Sequence, residues 1–132
     1  MDWARMADKS SRLSVELQEL LLVALGAVPG ALLRWLLSMH FDDQNLSANT
    51  IGAALLGFLK GLPGEPRRQL LLGIGFCGSI TTFSSWMFDS VRFIANGEFG
   101  MAIGLIALTL GFGLGSAALG VMLGRRIGRS LG

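Results

Sequence analysis

The chain has almost none of the residues that chemistry on soluble substrates draws on. One cysteine, Cys77, and one histidine, His40, occur in 132 residues. A lone cysteine excludes an intrachain disulfide and, without companion ligands, the usual Cys/His metal centre. Its expected place is that of a small residue packed in a helix. His40 likewise has no second group near it in sequence to complete a metal site or a pH sensor. Charge is scarce at 15% of residues, and too little chain lies outside the hydrophobic runs to build a soluble catalytic domain.

What the chain does have is apolar length. Hydrophobic residues make up 52% of it and glycine contributes 19 positions, with the apolar residues gathered in long runs. Runs at Leu20–Met39, Leu46–Leu62, Leu70–Ala95 and Phe99–Gly124 each match the roughly 17 to 25 residues needed to cross a bilayer. The fold class expected is an all-α membrane protein with four transmembrane helices per subunit, residues 20–132 forming one domain. The first run is too long and glycine-rich for a removable signal peptide and lacks a small-residue cleavage site, so it is expected to stay in the mature protein. Four short-looped helices are too few to enclose a wide pore, which points to a homo-oligomer or a partner subunit.

Residues 1–19 are polar overall, with Trp3, Met6, Ser10, Leu13, Leu17 and Leu20 recurring every three or four positions and Arg5, Lys9 and Arg12 between them. The pattern suits an interfacial amphipathic helix running into the first span; a partly disordered tail is the alternative. Asp42 to Asn45, Pro63 to Pro66, and Asn96 with Gly97 mark three short loops, so neighbouring spans run antiparallel. Small residues recur at four-residue intervals in Gly26/Gly30, Gly100/Gly104, Gly111/Gly115 and Ser116/Gly120/Gly124, as in close helix contacts within lipid. Pro29 lies inside the first span, where proline kinks a helix and frees a carbonyl.

Of eleven Lys and Arg, nine fall on the side shared by the tail, the second loop and the C-terminus: Arg5, Lys9, Arg12, Lys60, Arg67, Arg68, Arg125, Arg126 and Arg129. The other side has Arg92. For a chain inserted one way, the positive-inside rule makes both termini cytoplasmic.

The segment Gly73–Trp86, GIGFCGSITTFSSW, lies in the third span yet is crowded with glycines and hydroxyls. Lipid offers no partner to a freed backbone group, so irregular backbone at that depth belongs inside protein or along a hydrated path. Interrupted helices in transporters meet ions in this way. Five hydroxyls within seven residues, Ser79, Thr81, Thr82, Ser84 and Ser85, read as a polar track or a helix break rather than as routine back-bonding. Asn49, early in the second span beside Thr50, brings two N–H donors to apolar surroundings, and donors attract anions. Phe83 and Trp86 share a helical face one turn apart. They are packing residues, or rings whose positive edges face an anion directly. Weak neutral ligands of this kind bind an ion and still release it.

Arg34 sits inside the first span, where a charge costs about 2.5–3.5 kcal/mol unless it meets protein or water. It is a fixed charge at an anion pathway or a side chain snorkelling toward the nearer interface. Asp89 and Arg92, late in the third span, read as a pair or as interfacial residues.

In GAVPGALLRW at 26–35, NTIGAALLGF at 49–58 and, most specifically, GFCGSITTFSSW at 75–86, the chain resembles the Fluc/CrcB fluoride channels, small four-span bacterial membrane proteins that export fluoride passively. The resemblance runs over nearly the whole hydrophobic chain. It implies a passive fluoride-selective channel of the bacterial inner membrane, relieving fluoride toxicity, and an antiparallel, dual-topology dimer with a broken third helix and two pores, each lined by both chains. By this resemblance Asn49 matches the pore asparagine, Phe83 the first of two pore phenylalanines and Arg34 the arginine closing the first-helix motif. Thr82 and Ser84 match polar positions beside the pore. Gly78 and Thr81 match the helix-break positions whose carbonyls, from both subunits, hold a structural Na⁺.

Two positions depart from the pattern. Trp86 stands where the family usually has its second pore phenylalanine. The basic bias is large for a chain that must insert both ways, which leaves two partners in view, a second copy or an oppositely oriented homologue. The partners expected are fluoride, membrane lipid and that second subunit, with no nucleic acid and no enzymatic activity. Two rival functions are a proton-coupled exporter of the small multidrug type, which needs an embedded carboxylate that the chain lacks before Asp89, and a non-transporting assembly subunit, which the glycine faces alone would allow.

Overall fold

A computed structural model describes the backbone of residues 3–41 and 45–130 and the side chains of residues 12–41 and 45–130. The first-loop residues Asp42, Asp43 and Gln44, and the side chains of Trp3, Met6 and Ser10 on the expected amphipathic stripe, lie outside the described residues.

Among the described residues the protein is all helix. Helix α1 covers Trp3–His40 and passes through Pro29 without ending. Helix α2 is Leu46–Gly61. The third run opens with the short helix α3, Pro66–Arg68, winds as a π-helix over Gln69–Cys77 and ends in a single α turn, α4, Gly78–Ile80. Helix α5 is Ser84–Ala95 and α6 is Phe99–Ser130. Three stretches are long and apolar enough to cross a membrane: Arg12–His40, Pro66–Ala95 and Phe99–Ser130. The fourth expected span, α2, is apolar but only 16 residues long, about 24 Å at 1.5 Å per residue, which is short for the hydrocarbon core.

The short loops close by local hydrogen bonding. At the end of α5, Gly97 takes φ 79°, a left-handed conformation open to glycine at no steric cost. Its amide bonds the Ile94 carbonyl while the Glu98 amide reaches Phe93 O at 2.8 Å, capping α5 and turning the chain into α6.

Two glycine seams hold the bundle. In the first, α1 lies parallel to the π-helical run: Gly26 meets the backbone of Leu71 and Phe76, Gly30 meets Phe76 and Ser79, and Gly75 meets Val23 and Gly26. In the second, α2 lies parallel to α6, with Gly57 on Ala117, Gly61 on Val121 and Gly124, and Gly120 on Ala54 and Phe58. A Cβ at these positions would run into backbone atoms of the facing helix, which is the close approach that helix association in lipid requires. The expected small-residue faces therefore divide. Gly26/Gly30 and Gly120/Gly124 pack within the chain, whereas Gly100, Gly104, Gly111 and Gly115 face open space.

The interior is thin. Ala48, Leu59, Cys77, Ile80, Trp86, Ala102 and Leu105 are the buried hydrophobic residues, and leucines, phenylalanines and isoleucines cover the outside. That arrangement suits a chain whose solvent is lipid.

Candidate functional site

Helical geometry stops after Ile80. Thr81 is extended, with ψ 150°, and Phe83 has returned to the right-handed region to lead into α5. A helix that ends leaves its last carbonyls without amides, and one that begins leaves its first amides without carbonyls. Inside a membrane both sets need partners.

Asn49 of α2 meets part of that need. Its Nδ2 donates to the Thr82 carbonyl at 3.0 Å, and its Oδ1 accepts from the Thr82 amide at 2.7 Å. The side chain is 9% exposed. The amide thus does for Thr82 what a neighbouring peptide unit would do in a regular helix, and it pins α2 to the point where the third run changes direction. One of its two Nδ2 hydrogens remains to donate elsewhere.

The hydroxyls of the segment fall into two groups. Ser79 Oγ bonds Phe76 O at 3.0 Å and Thr81 Oγ1 bonds Cys77 O at 2.8 Å, both back onto their own helix. Thr50 Oγ1 does the same to Leu46 O at 2.7 Å. Beyond the interruption, Thr82 Oγ1 lies 3.2 Å from Ser85 Oγ and 3.5 Å from Ser84 Oγ, so these three hydroxyls cluster at the start of α5.

Phe83 and Trp86 share an edge-to-face contact, their centroids 4.9 Å apart and the rings at 78°. Their surroundings differ. Phe83 is 66% exposed and Trp86 only 5%, so Phe83 presents a ring outward while Trp86 forms the wall behind it. Ser90 Oγ donates to the Trp86 carbonyl at 2.8 Å and steadies the next turn.

Hydrogen bonds join Asn49 to Thr82 and Thr82 to Ser84, and a ring contact joins Phe83 to Trp86, all at the stretch that follows Ile80. Arg34 does not join them: it is half-buried on α1, and among the described residues no hydrogen bond or ion pair ties it to the cluster. Gly78 lies at the end of the first half-span, exposed, with open space where a Cβ would stand, and Thr81 supplies the extended carbonyl after it. Asp89 pairs with Arg92 at 3.8 Å, and the Arg92 guanidinium sits 5.9 Å from the centre of the Phe88 ring.

Two buried polar residues escaped the sequence reasoning, Ser90 and Thr109. Thr109 of α6 is 7% exposed and its hydroxyl has no partner among the described residues. It lines a groove of about 420 Å³ between α2 and α6, together with Gly57, Gly113 and Ala117. A lone threonine in IALTLG carries no sequence signal beyond being polar in an apolar run. The parallel α2–α6 register gives it its place.

The family model described as CrcB-like protein, Camphor Resistance (CrcB), matches residues 21–121. A relative from Synechococcus sp. (strain CC9605), named fluoride-specific ion channel FluC 2, is 64% identical over 122 residues, covering 92% of each chain. One of the same name from Prochlorococcus marinus (strain MIT 9313) is 53% identical over 119 residues, 90% of this chain and 92% of its own. Another strain of Prochlorococcus marinus, SARG, has a relative named fluoride-specific ion channel FluC 1, which is 39% identical over 122 residues, 92% of this chain and 94% of its own. The matched range covers Asn49, the third run and the glycine seams as far as Val121, and the chain belongs to the CrcB family.

Proposed function

We propose that the protein is a passive, fluoride-selective ion channel of the bacterial inner membrane, working without catalysis as an antiparallel dimer with two pores and relieving fluoride toxicity by letting F⁻ leave the cytoplasm. The observation that carries the reading is the exposed Phe83 ring beside the Asn49–Thr82 pair. A ring edge, a spare amide hydrogen and the hydroxyls of Thr82 and Ser84 offer an anion neutral donors at one point. Such ligands replace water around a small, strongly hydrated anion without the full positive charge that would trap it. Relatives at 64% and 53% identity carry the name fluoride-specific ion channel, which supports the choice of ion. Fluoride enters cells as neutral HF and is trapped as the anion at higher internal pH, so an exit pore suffices.

Exposure of Phe83 at an interrupted span favours a second subunit. A ring that is to hold an ion away from lipid must be covered, and an inverted copy brings its own interrupted span to the same depth. Trp86 backs the ring and narrows the pathway from behind. Arg34 acts at a distance, as a fixed charge attracting anions toward the mouth.

The end of α4 fits a structural Na⁺. Gly78 leaves room for another backbone, and the carbonyls of Gly78 and Thr81 are neutral oxygen donors of the type hard cations take. When bound, the ion would supply positive charge to these carbonyls at the helix end and tie the two subunits together there.

The excess of basic residues at one end favours pairing with an oppositely oriented homologue over self-pairing. Relatives bear both names, FluC 1 and FluC 2, so a second homologous chain is available in kind as the partner.

Fluoride efflux from sealed proteoliposomes tests the reading. The channel predicts passive F⁻ efflux that excludes chloride and is indifferent to a proton gradient, from this chain alone or from it mixed with its inverted homologue. Efflux that requires a proton gradient, or silence of folded protein in both formats, would overturn it.

A further inference from the structure

The end of the bundle that carries Lys60, Arg67, Arg68, Arg125, Arg126 and Arg129 also has an open groove of about 310 Å³ on its flank. Gln18, Leu21, Leu22 and Leu25 of α1 form its floor and Arg67 closes it at the side of the third run. The floor residues lie three and four apart, hence on one face of α1, and lead from the polar end of the helix into its apolar span. Leu21 and Leu25 are 62% and 65% exposed. Polar atoms come from Gln18 and Arg67 at one end, and the rest of the surface is leucine.

We infer that this groove seats an anionic phospholipid, its phosphate on Arg67 and Gln18 and one acyl chain along Leu21, Leu22 and Leu25. Two observations support that occupant. First, Arg67 has no carboxylate within ion-pair distance among the described residues, and the nearby acids Glu16 and Glu19 lie off the floor face by the 100° rotation per residue of a helix. Its neighbour Arg68 is already used, donating to the Pro63 carbonyl that closes the second loop. Arg67 is the guanidinium that lines the groove, placed to take a phosphate in a bidentate match. Second, a soluble anion gains nothing from a leucine floor, whereas a lipid matches both halves of the groove. Basic pockets between membrane helices on the cytoplasmic side are recognised anionic headgroup sites.

The test is native mass spectrometry of the full chain in mild detergent, titrated with phosphatidylglycerol or with phosphatidylcholine of the same acyl chains. One basic residue near the membrane surface sets a preference for the anionic lipid of roughly fivefold. That preference is expected to vanish in Arg67→Gln and to persist in Arg126→Gln, which removes a cation from the same end outside the groove. Leu25→Gln is expected to weaken retention of both lipids. The inference falls if Arg67→Gln keeps the preference, or if Arg126→Gln loses as much of it, because the attraction would then be diffuse surface charge. Lipid retention is read without fluoride flux, so it stands or falls independently of channel activity.

Discussion

The side chain of Asn49 and the backbone of Thr82 hydrogen-bond each other in both directions, at 3.0 and 2.7 Å, across 33 residues of sequence. The amide is therefore a structural partner of the interrupted span as well as an anion donor. The two roles predict different outcomes for different substitutions.

Asn49→Asp keeps the oxygen that accepts from the Thr82 amide, loses the donor to its carbonyl and sets a negative charge at the proposed ion path. We expect fluoride efflux to fall by more than tenfold. Asn49→Ala leaves both Thr82 groups unpaired in a part-buried setting, which destabilises by at most about 1–3 kcal/mol. Thermal unfolding in detergent alongside vesicle efflux separates the two effects, and unchanged efflux in Asn49→Asp removes the residue from the pathway.

Phe83 and Trp86 are predicted to fail differently. Phe83→Ile takes a 66% exposed ring off the surface, so the subunit folds and fluoride flux is lost. Trp86→Ala empties a buried site, and large-to-small changes of this kind destabilise by about 3–5 kcal/mol. Trp86→Phe keeps most of the packing and is expected to conduct. Circular dichroism melts with efflux on the same preparations provide the check.

The unpartnered Thr109 hydroxyl predicts a stabilising substitution. Burying an unpaired hydroxyl costs about 1–3 kcal/mol, so the near-isosteric Thr109→Val is expected to raise the unfolding midpoint of the isolated subunit. A lowered midpoint would mean that the hydroxyl bonds a group supplied on assembly.

Gly120→Val is expected to disrupt the α2–α6 seam, because its side chain meets the Ala54 carbonyl and Phe58 amide of the facing helix. Gly111→Val enters open space and leaves subunit folding intact. Protein yield and monodispersity after extraction distinguish the two. A loss of dimer in Gly111→Val with the subunit still folded would assign that face to subunit contact.

Much of this was legible in the sequence, for reasons that can be named. Apolar runs placed the helices, because lipid demands length, but not all their limits: α1 begins at Trp3 rather than Leu20 and α6 continues to Ser130 rather than Gly124. The motif Gly73–Trp86 pointed to the stretch where helical geometry stops after Ile80, because glycine and hydroxyl crowding is foreign to an ordinary span. The same motif hid its own hydrogen bonding: nothing in the order of residues tells that Ser79 and Thr81 bond backward while Thr82 turns to Ser84 and Ser85, since that depends on where the ψ of Thr81 flips. The α2 glycines Gly57 and Gly61 escaped notice although they stand four apart. Their meaning rests on Ala117 and Val121, which lie opposite only once α2 and α6 run parallel. Conversely, Gly111 and Gly115 read like a packing face, yet a Cβ there would meet nothing within 4 Å among the described residues.

Helix α1 has 38 residues, which at 1.5 Å each make a rod of roughly 57 Å, against about 30 Å of hydrocarbon to cross. The surplus projects from the basic end as a fiducial. An inverted second copy would project the same rod from the opposite face, so that protease nicking on both sides of the membrane, or particle images with a projection at each end, would report head-to-tail pairing without any added tag.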